Sequence, residues 1–410
     1  MLNPKTNQRE LAYIVEVAET KPLEGYDKVH YIRINLWWVV ATKSLNTGDK
    51  AIYFEIDSLL PESDKRFEFM AKKKFRVKTQ KMCRVTSQGL ALPITEFPEL
   101  KNAKVGDFVT DKLKVSLYEP EVKDYKPQSK VSPFQKAMDR HKTFFRFPPV
   151  KFMLRFNWFR SLMKKVFIHK KDKIVWPSWL PKTGSERIQN LPQLLDTSTI
   201  TEVVGENEIE VKEKSPISYV CSEKVDGMSS SYILDEKNVY YVGSHNVIVY
   251  SSKDKDSKSI ADGNAYIKNN IWMDMGEKYN LRDKLKQLKE KHKVKTVAIQ
   301  GESYGSGVQK RTYSKKHGEQ DFVVFHIWFD GKRIPMQKMT RICDEISLPH
   351  LNIFNWDYHL PSTVEDIIKD IDSKQSAIDG GDIEGFVFYS QDGQQNFKCV
   401  SPNYLMKYHG

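Results

Sequence analysis

Lysine 224 lies in a short segment whose residue types can carry out covalent chemistry. Residues 224–227 read Lys-Val-Asp-Gly and separate two runs that are typical of β-strands. A neutral lysine amine can attack phosphorus if burial or a nearby cation lowers its pKa from the free value of about 10.4. Taken alone, a four-residue pattern of this kind most often marks an exposed turn. The residues that follow it in the chain decide between these interpretations.

Three later segments supply the charged residues that a lysine nucleophile needs. Glu302 lies at the end of a strand-like run, Glu384 begins another, and Lys398 follows a hairpin turn at Asp392 and Gly393. Carboxylates can hold a divalent cation through water, and a second lysine can neutralise phosphate charge. The order lysine, carboxylate, carboxylate, lysine is similar to that of covalent nucleotidyltransferases.

The elements that would position these residues alternate strands with a few helices. Strand-like runs surround the charged residues at 239–243, 296–300, 322–329 and 384–389. We predict an exposed helix over Glu277–Lys293 and another that begins with a capping box at residues 362–365 and continues through Ile371. Residues 179–410 are therefore predicted to form an α+β domain with antiparallel sheets and flanking helices.

The first 120 residues have a different pattern. Short apolar runs alternate with turn signals such as Asn46–Asp49 and Val105–Asp107. Many short strands at this spacing predict a small β-barrel, and an OB-like barrel is the best match. The basic run Lys72–Lys78 is typical either of a nucleic-acid groove or of a solvated face.

Residues 121–178 are predicted to be a basic, aromatic-rich linker or insertion. Residues 126–182 contain eleven Lys, four Arg and two Asp, which gives a charge of +13, whereas the whole chain has a net charge of +12. The same residues contain eight Phe and three Trp. Interleaved cations and rings favour nucleic acid, because cations neutralise phosphates and rings stack on unpaired bases. Packing of the rings on the rest of the protein and binding to an anionic membrane remain open as alternatives.

Composition excludes several classes of protein and site. The four cysteines form no CxxC pair and the ten histidines form no HExxH pattern, which argues against zinc or histidine-bound metal and for a reducing compartment. No run of 18 apolar residues and no hydrophobic signal region are present. We therefore expect no transmembrane segment and an intracellular location, either cytoplasmic or nucleoplasmic.

Six segments together resemble the motifs of the covalent nucleotidyltransferase superfamily. Residues 224–227 resemble motif I, 242–246 motif Ia, 300–302 motif III, 321–328 motif IIIa, 384–387 motif IV and 396–398 motif V. Residues 51–61 and 87–93 resemble the OB module of the fifth family of ATP-dependent RNA ligases, and residues 181–190 resemble the start of its catalytic domain. In that family the OB domain precedes the catalytic domain, whereas DNA ligases and mRNA capping enzymes usually carry it afterwards.

The resemblance implies an ATP-dependent RNA ligase that uses Mg²⁺ or Mn²⁺. It implies sealing of 3′-hydroxyl and 5′-phosphate ends, in nicked duplexes, through a lysyl-AMP intermediate and an adenylated 5′ end, by a monomer that repairs or processes RNA. The alternatives are a DNA ligase, a guanylyltransferase of the capping type, and a non-catalytic OB-fold protein that binds nucleic acid.

The resemblance also assigns a role to each candidate site residue. Lys224 is the nucleophile, Glu302 contacts ribose or metal-bound water, and Phe325 stacks on adenine or belongs to the core. Lys398 holds the α-phosphate, and Arg187 either touches a phosphate or forms a salt bridge to Glu186 or another neighbour. Asp226, Glu302 and Glu384 hold the metal through water.

Two positions depart from the family pattern. Motif Ia usually has an arginine where this chain has His245, and imidazole lacks the permanent charge of a guanidinium. Motif V usually has two lysines separated by one residue, whereas Lys398 is flanked at that spacing by Asn396 and Val400. We therefore expect contacts with ribose or RNA to differ at these two positions.

Overall fold

The computed structural model describes residues 1–3, 9–118, 138, 141–167, 176–195, 199–204, 207–212, 217–245, 247–252 and 270–409. The rest of the predicted linker and Asn246 of motif Ia lie outside the described residues. Among the helices described, none is long and apolar enough to cross a membrane.

The N-terminal part consists almost entirely of short antiparallel strands. They are β1 (Ala12–Glu16), β2 (Glu19–Pro22), β3 (Val29–Ile34), β4 (Trp37–Thr42), β5 (Lys50–Phe54), β6 (Ser58–Leu59), β7 (Thr79–Met82), β8 (Val85–Gln88), β9 (Leu90–Pro93) and β10 (Ser116–Leu117). They pair in the orders β1-β5-β9, β2-β3-β4, β6-β10 and β7-β8. Alternate residues of β3 point into a core that contains Ile32, Ile34 and Trp37, which explains the period-two pattern of this region.

The C-terminal part is built on two larger sheets. Its strands are β11 (Glu186–Arg187), β12 (Thr199–Val204), β13 (Asn207–Lys212), β14 (Ser218–Lys224), β15 (Met228–Leu234), β16 (Tyr240–Gly243), β17 (Ile248–Ser251), β18 (Val297–Gly305), β19 (Gln320–Phe329), β20 (Lys332–Arg333), β21 (Ile353–His359), β22 (Gly385–Ser390) and β23 (Asn396–Val400). One sheet has the order β17-β16-β15-β18-β19-β20 and the other β11-β23-β22-β14-β21. All pairs in these sheets are antiparallel except β11 with β23. The predicted α+β class with antiparallel sheets is therefore confirmed.

The α-helices of the described residues lie in the predicted linker and in the C-terminal part. They are α1 (Lys142–Arg146), α2 (Pro148–Met153), α3 (Asn157–Phe167), α4 (Ile271–Lys278), α5 (Leu281–His292), α6 (Met336–Glu345), α7 (Val364–Asp372) and α8 (Pro402–Tyr408). Short 3-10 helices cover Lys65–Lys73, Ile94–Glu96, Pro98–Leu100, Ile188–Asn190 and Pro192–Leu194. Helices α4, α5 and α6 pack on the six-stranded sheet through a core that includes Met275, Leu285 and Met339. Helix α7 packs on the five-stranded sheet through Ile367 and Ile371.

Two helix predictions need correction. The single helix predicted over Glu277–Lys293 is two helices, α4 and α5, because Asn280 adopts a left-handed backbone with φ of 48° that interrupts the first helix. The N-cap of helix α7 is one residue later than the N-cap of the predicted capping box, which is Ser362. Thr363 is its N-cap and accepts a hydrogen bond from the backbone N–H of Asp366 at 3.2 Å.

A buried polar contact joins the two parts. The side-chain amide oxygen of Asn190 accepts hydrogen bonds from Tyr13 Oη at 3.2 Å and Trp37 Nε1 at 2.6 Å, and its Nδ2 donates to Glu55 Oε1 at 2.8 Å. These groups are buried, so each bond is protected from competing water. The predicted boundaries at residues 120 and 178 stay a prediction.

Candidate active site

Lys224 is the last residue of β14, where the strand ends beside β22. Its partner in the β14–β22 ladder is Gly385, so the lysine lies next to Glu384 of motif IV. Gly227 follows in the turn to β15, and a Cβ atom there would lie 2.3 Å from the carbonyl oxygen of Ser303. The glycine of motif I is therefore required by the close approach of β18.

Lys224 and Glu384 form an ion pair that is partly buried. Lys224 Nζ donates to Glu384 Oε2 at 2.6 Å. Burial lowers the pKa of Lys224, but the charges of Glu384 and Glu302 outweigh burial and leave that pKa above its ordinary value. The lowered pKa that a lysine nucleophile needs is therefore absent in this arrangement, since the nearest charged neighbours of Lys224 are anions.

Four of the predicted site residues line one pocket between the two sheets: Lys224, Glu302, Phe325 and Lys398. The other lining residues are Thr183, Gly184, Ser185, Glu223, Val225, Ser229, His245, His326, Leu351, Val387 and Tyr389. We call this the catalytic pocket. Phe325 is half-buried and also packs beside Val225 and Leu351, so it is both a pocket wall and part of the core. The lining does not include Asp226, Glu384 or Arg187.

Glu302 projects from β18, opposite Ser229 of β15. Burial raises its pKa to about 8, which the attraction of Lys224 only partly offsets, and the neighbouring carboxylates Glu384 and Asp226 raise it further. Ser229 Oγ is 3.4 Å from its Oε2, a long contact. Glu302 thus lacks enough positive charge nearby to keep it ionised at neutral pH.

Asp226 faces the C-terminal helix rather than the pocket. Its Oδ2 accepts hydrogen bonds from Tyr404 Oη at 3.0 Å and from His409 Nε2 at 2.9 Å. Its backbone N–H donates to Tyr313 Oη at 2.6 Å. The hydrogen bond to Asp226 raises the pKa of His409, although burial opposes this. Asp226 of motif I is therefore positioned by the side chains of Tyr313, Tyr404 and His409, which the sequence pattern did not identify.

Lys398 and Arg187 lie side by side in the paired strands β23 and β11. Burial lowers the pKa of Lys398 to about 7, and the charges of Arg187, Lys224 and Arg9 act in the same direction. Arg187 is 8% exposed, and its Nε and Nη1 have no hydrogen-bond partner among the described residues. The predicted pairing of Arg187 with Glu186 is limited to its backbone, whose N–H donates to Glu186 Oε1 at 2.9 Å. Two neighbouring cations, one buried and one half-buried, without an anionic partner at hydrogen-bond distance among the described residues are suited to binding an anion.

A divalent cation fits this site through water rather than through direct ligands. In the described part of the chain, no three His, Cys, Asp or Glu side chains form a group that could hold a metal ion. Glu384 is nevertheless a buried oxygen donor and Glu302 a half-buried one beside the pocket, and the raised pKa of Glu302 indicates that its carboxylate would gain from a cation. Mg²⁺ retains several of its waters when it binds to proteins, which suits such a pair. The Asp226 carboxylate already accepts hydrogen bonds from Tyr404 and His409, so it is not free to bind the cation directly.

His245 occupies the position where the family pattern has arginine. Its Nδ1 lies 2.7 Å from Thr183 Oγ1, and its side chain lines the catalytic pocket. Burial lowers the pKa of His245, as do the charges of Lys398 and Lys182. The imidazole is therefore neutral at pH 7 and offers a hydrogen bond instead of a charge.

Two family models match the chain. Residues 11–94 match an OB-fold domain, and residues 217–409 match RNA ligase. The C-terminal part is an RNA ligase domain. The predicted order, an OB fold followed by a ligase domain, is confirmed, and so is the predicted enzyme class. No curated protein gives a significant sequence match.

Solved structures of a Naegleria gruberi RNA ligase have the same fold. One apo mutant is 22% identical with a TM-score of 0.69, and the match covers 98% of each chain. The form with PPi is also 22% identical with a TM-score of 0.69, over 98% of this chain and 99% of the other. A mutant with ATP and Mn is 22% identical with a TM-score of 0.70, over 98% and 100%. The similarity extends over both domains, so the OB fold and the RNA ligase domain occur together in these proteins.

Proposed function

We propose that this RNA ligase uses ATP to seal RNA breaks that carry a 3′-hydroxyl and a 5′-phosphate, through a lysyl-AMP intermediate on Lys224. The observation that carries the proposal is the position of Lys224, between the carboxylates of Glu384 and Glu302 at the wall of a pocket that Lys398 also lines. One amine, two carboxylates and a second cation are what a nucleotide triphosphate, its metal and its leaving group require.

In the first step, Lys224 Nζ attacks the α-phosphorus of ATP, an N–P bond forms, and pyrophosphate leaves. The amine must first release to solvent the proton that Glu384 now stabilises. A divalent cation would supply positive charge to the phosphates and to Glu384. Once Glu384 no longer attracts the lysine, burial favours the neutral amine. Glu384 would then hold the cation through water instead of pairing with Lys224.

Two further transfers complete the reaction. An oxygen of the 5′-phosphate attacks the AMP phosphorus, the N–P bond breaks, and Nζ is protonated again. The 3′-hydroxyl then attacks the 5′-phosphate, loses its proton, and AMP leaves. Lys398 and Arg187 supply positive charge for the phosphate groups, because Arg187 is buried, Lys398 is half-buried, and both lack an anionic partner at hydrogen-bond distance among the described residues. Phe325 stacks on the adenine, and Glu302 contacts ribose or metal-bound water.

ATP and a divalent metal are supported by the solved relatives, which include mutants of the Naegleria gruberi enzyme with ATP and Mn and with AMP and Mn. The RNA ligase family model favours RNA over a DNA or cap substrate. We propose nicked duplexes as the substrate, a monomeric enzyme and an intracellular location.

Self-labelling tests the first step. The protein is incubated with magnesium and α-labelled ATP or GTP without nucleic acid, and covalent label is counted after denaturation. We expect label from ATP only, none in Lys224→Ala, and full labelling in Lys237→Ala, which removes an exposed lysine of the β15–β16 turn. Labelling by GTP alone would instead support a capping-type guanylyltransferase, and unchanged function without Lys224 would support a non-catalytic nucleic-acid-binding protein.

Ligation of nicked duplexes tests the substrate. RNA or DNA is placed separately on the 3′-hydroxyl and the 5′-phosphate side of the nick, and sealed product is measured. We expect sealing to require RNA on at least one side. Equal sealing of an all-DNA nick would contradict the RNA assignment and leave the lysyl-AMP chemistry intact.

A further inference from the structure

Residues 141–167 form a helical module with its own small core. Helices α1, α2 and α3 enclose Phe145, Phe159 and Met163, and the residues packed against these three are Met138, Val150, Met153 and Leu154. Every member of this cluster comes from residues 138–163. In the described structure, none of the larger cores of the OB or ligase parts includes a residue of the module. The module is therefore not held in place by packing its rings into those cores.

One face of the module exposes apolar side chains to solvent. Trp158, Leu162 and Val166 follow one another at a spacing of four along α3 and are 61%, 45% and 49% exposed. Residues at this spacing share one face of a helix, so they form a continuous apolar stripe. Phe152 and Phe156 extend this surface from α2, at 57% and 47% exposure, with their ring centroids 5.9 Å apart.

The remaining surface of the module is cationic. Residues 141–167 contain four Lys and three Arg but no Asp or Glu. Lys151, Arg155 and Arg160 are exposed. Along α3, Phe159 and Met163 face the small core, the apolar stripe lies to one side of them, and Arg160 and Ser161 lie to the other side. The helix thus has an apolar half, whose outer edge is uncovered, and a polar half that carries only positive or neutral groups.

The charge and the stripe together define the occupant. An anionic partner matches seven cations without a carboxylate. Trp158, Phe152 and Phe156 have rings that can stack on a nucleobase, whereas Leu162 and Val166 are aliphatic and have no π-face for such a contact. A helix with Trp, Leu and Val on one face and Arg and Lys on the other instead fits the boundary between lipid headgroups and acyl chains. We propose that this module binds the surface of a bilayer that contains anionic phospholipid and thereby recruits the ligase to a membrane.

Vesicle co-sedimentation of the full chain tests the proposal. The protein is mixed with vesicles of phosphatidylcholine alone or of phosphatidylcholine with phosphatidylserine. We expect at least tenfold stronger partitioning onto the phosphatidylserine vesicles, because each cation at an anionic surface contributes a factor of roughly five. High salt should weaken this binding. Binding to neither vesicle, or equal binding to both, would overturn the proposal.

Matched variants locate the contact. The stripe variant carries Trp158→Ser, Leu162→Ser and Val166→Ser. The control carries the same replacements at three exposed residues outside the module, Trp356, Leu117 and Val105, which are 41%, 42% and 50% exposed. We expect the stripe variant to lose about tenfold or more in vesicle binding and the control to retain it. Thermal unfolding checks that both variants fold.

Two further results of the variant experiments also test the membrane proposal. Loss of RNA affinity in the stripe variant with unchanged vesicle binding would identify the module as an RNA-binding surface and overturn the proposal. If the stripe variant unfolds, the exposed pair Arg155→Gln and Arg160→Gln replaces it, and a vesicle affinity within twofold of the parent would count against a membrane contact. Self-labelling by ATP needs no vesicles, so failure of the ligase mechanism and failure of the membrane proposal are separable.

Discussion

The catalytic pocket and the helical module use the same residue types in opposite ways. In the pocket, Lys224 and Lys398 are half-buried and lie near other charges, and Phe325 lies between the pocket and the core. In the module, Arg155 and Arg160 are exposed to solvent, and the rings beside them point outward. Lysine, arginine and phenylalanine therefore do not reveal a function by their identity alone, and burial decides which chemistry each can perform.

The contrast has an energetic consequence. Charges that are shielded from water interact strongly, so a substitution in the pocket removes a large and specific interaction. Exposed charges are screened and contribute small, nearly additive amounts. A single substitution should thus be severe in the pocket and mild in the module.

The largest effect is expected for Glu384→Gln. The amide keeps the shape but removes the anion that pairs with Lys224 and supports the cation, so self-labelling by ATP should fall about 100-fold or more. Glu290→Gln, on the exposed face of α5, is the matched control and should label normally. A loss below about threefold in Glu384→Gln would mean that the ion pair is only structural.

The next effect concerns pH and metal at Glu302. Its pKa of about 8 means that the carboxyl is largely protonated below that pH. Since a cation binds the ionised form, the affinity for Mn²⁺ in self-labelling should rise as the pH increases through 8 and level off above it. Glu302→Gln should weaken metal affinity by about tenfold or more and remove the pH dependence. A wild-type affinity that does not change across pH 8 would exclude Glu302 from the cation site.

A smaller effect is expected behind motif I. His409→Ala removes one of the two side chains that hold the Asp226 carboxylate, while Tyr404 remains. We expect self-labelling to fall by roughly three- to tenfold, as is typical when a supporting hydrogen bond is lost. The control is His359→Ala, an exposed histidine that lies 3.7 Å from Asp357. Equal rates for the two variants would show that Tyr404 alone positions Asp226.

The smallest effect is expected in the module. Arg160→Gln removes one of seven cations, so binding to phosphatidylserine vesicles should fall by only about fivefold. Self-labelling in solution should stay within twofold of the parent. A loss of labelling as large as that of His409→Ala would mean that the module contacts the catalytic pocket, and the comparison would fail.

The sequence predicted the strands and the order of site residues better than their electrostatics. Strand-like runs at 322–329 and 384–389 correspond to β19 and β22, because their apolar residues face cores on both sides of each sheet. Lys224, Glu302, Phe325 and Lys398 meet at one pocket as the motif order predicts. The lowered pKa, however, belongs to Lys398 and not to Lys224. Burial and neighbouring charges depend on the folded arrangement of β11, β14, β22 and β23, which no local pattern encodes.

Other features had no sequence signal at all. Tyr313, Tyr404 and His409 reach Asp226 from distant segments, and the left-handed Asn280 divides a stretch that reads as one helix. Thr183 and His245 meet through a contact between residues 62 apart. These are tertiary contacts between individually unremarkable residues, so only the folded chain shows them.

The most direct test of the account is to locate the nucleotide on the chain. The protein is incubated with ATP and magnesium, digested under conditions that preserve the N–P bond, and its peptides are identified by mass spectrometry. We expect one AMP on the peptide that contains Lys224, and none on the peptide that contains Lys398, although Lys398 is the lysine with the lower pKa. An adduct on Lys398 or at any other residue, or no adduct at all, would contradict it.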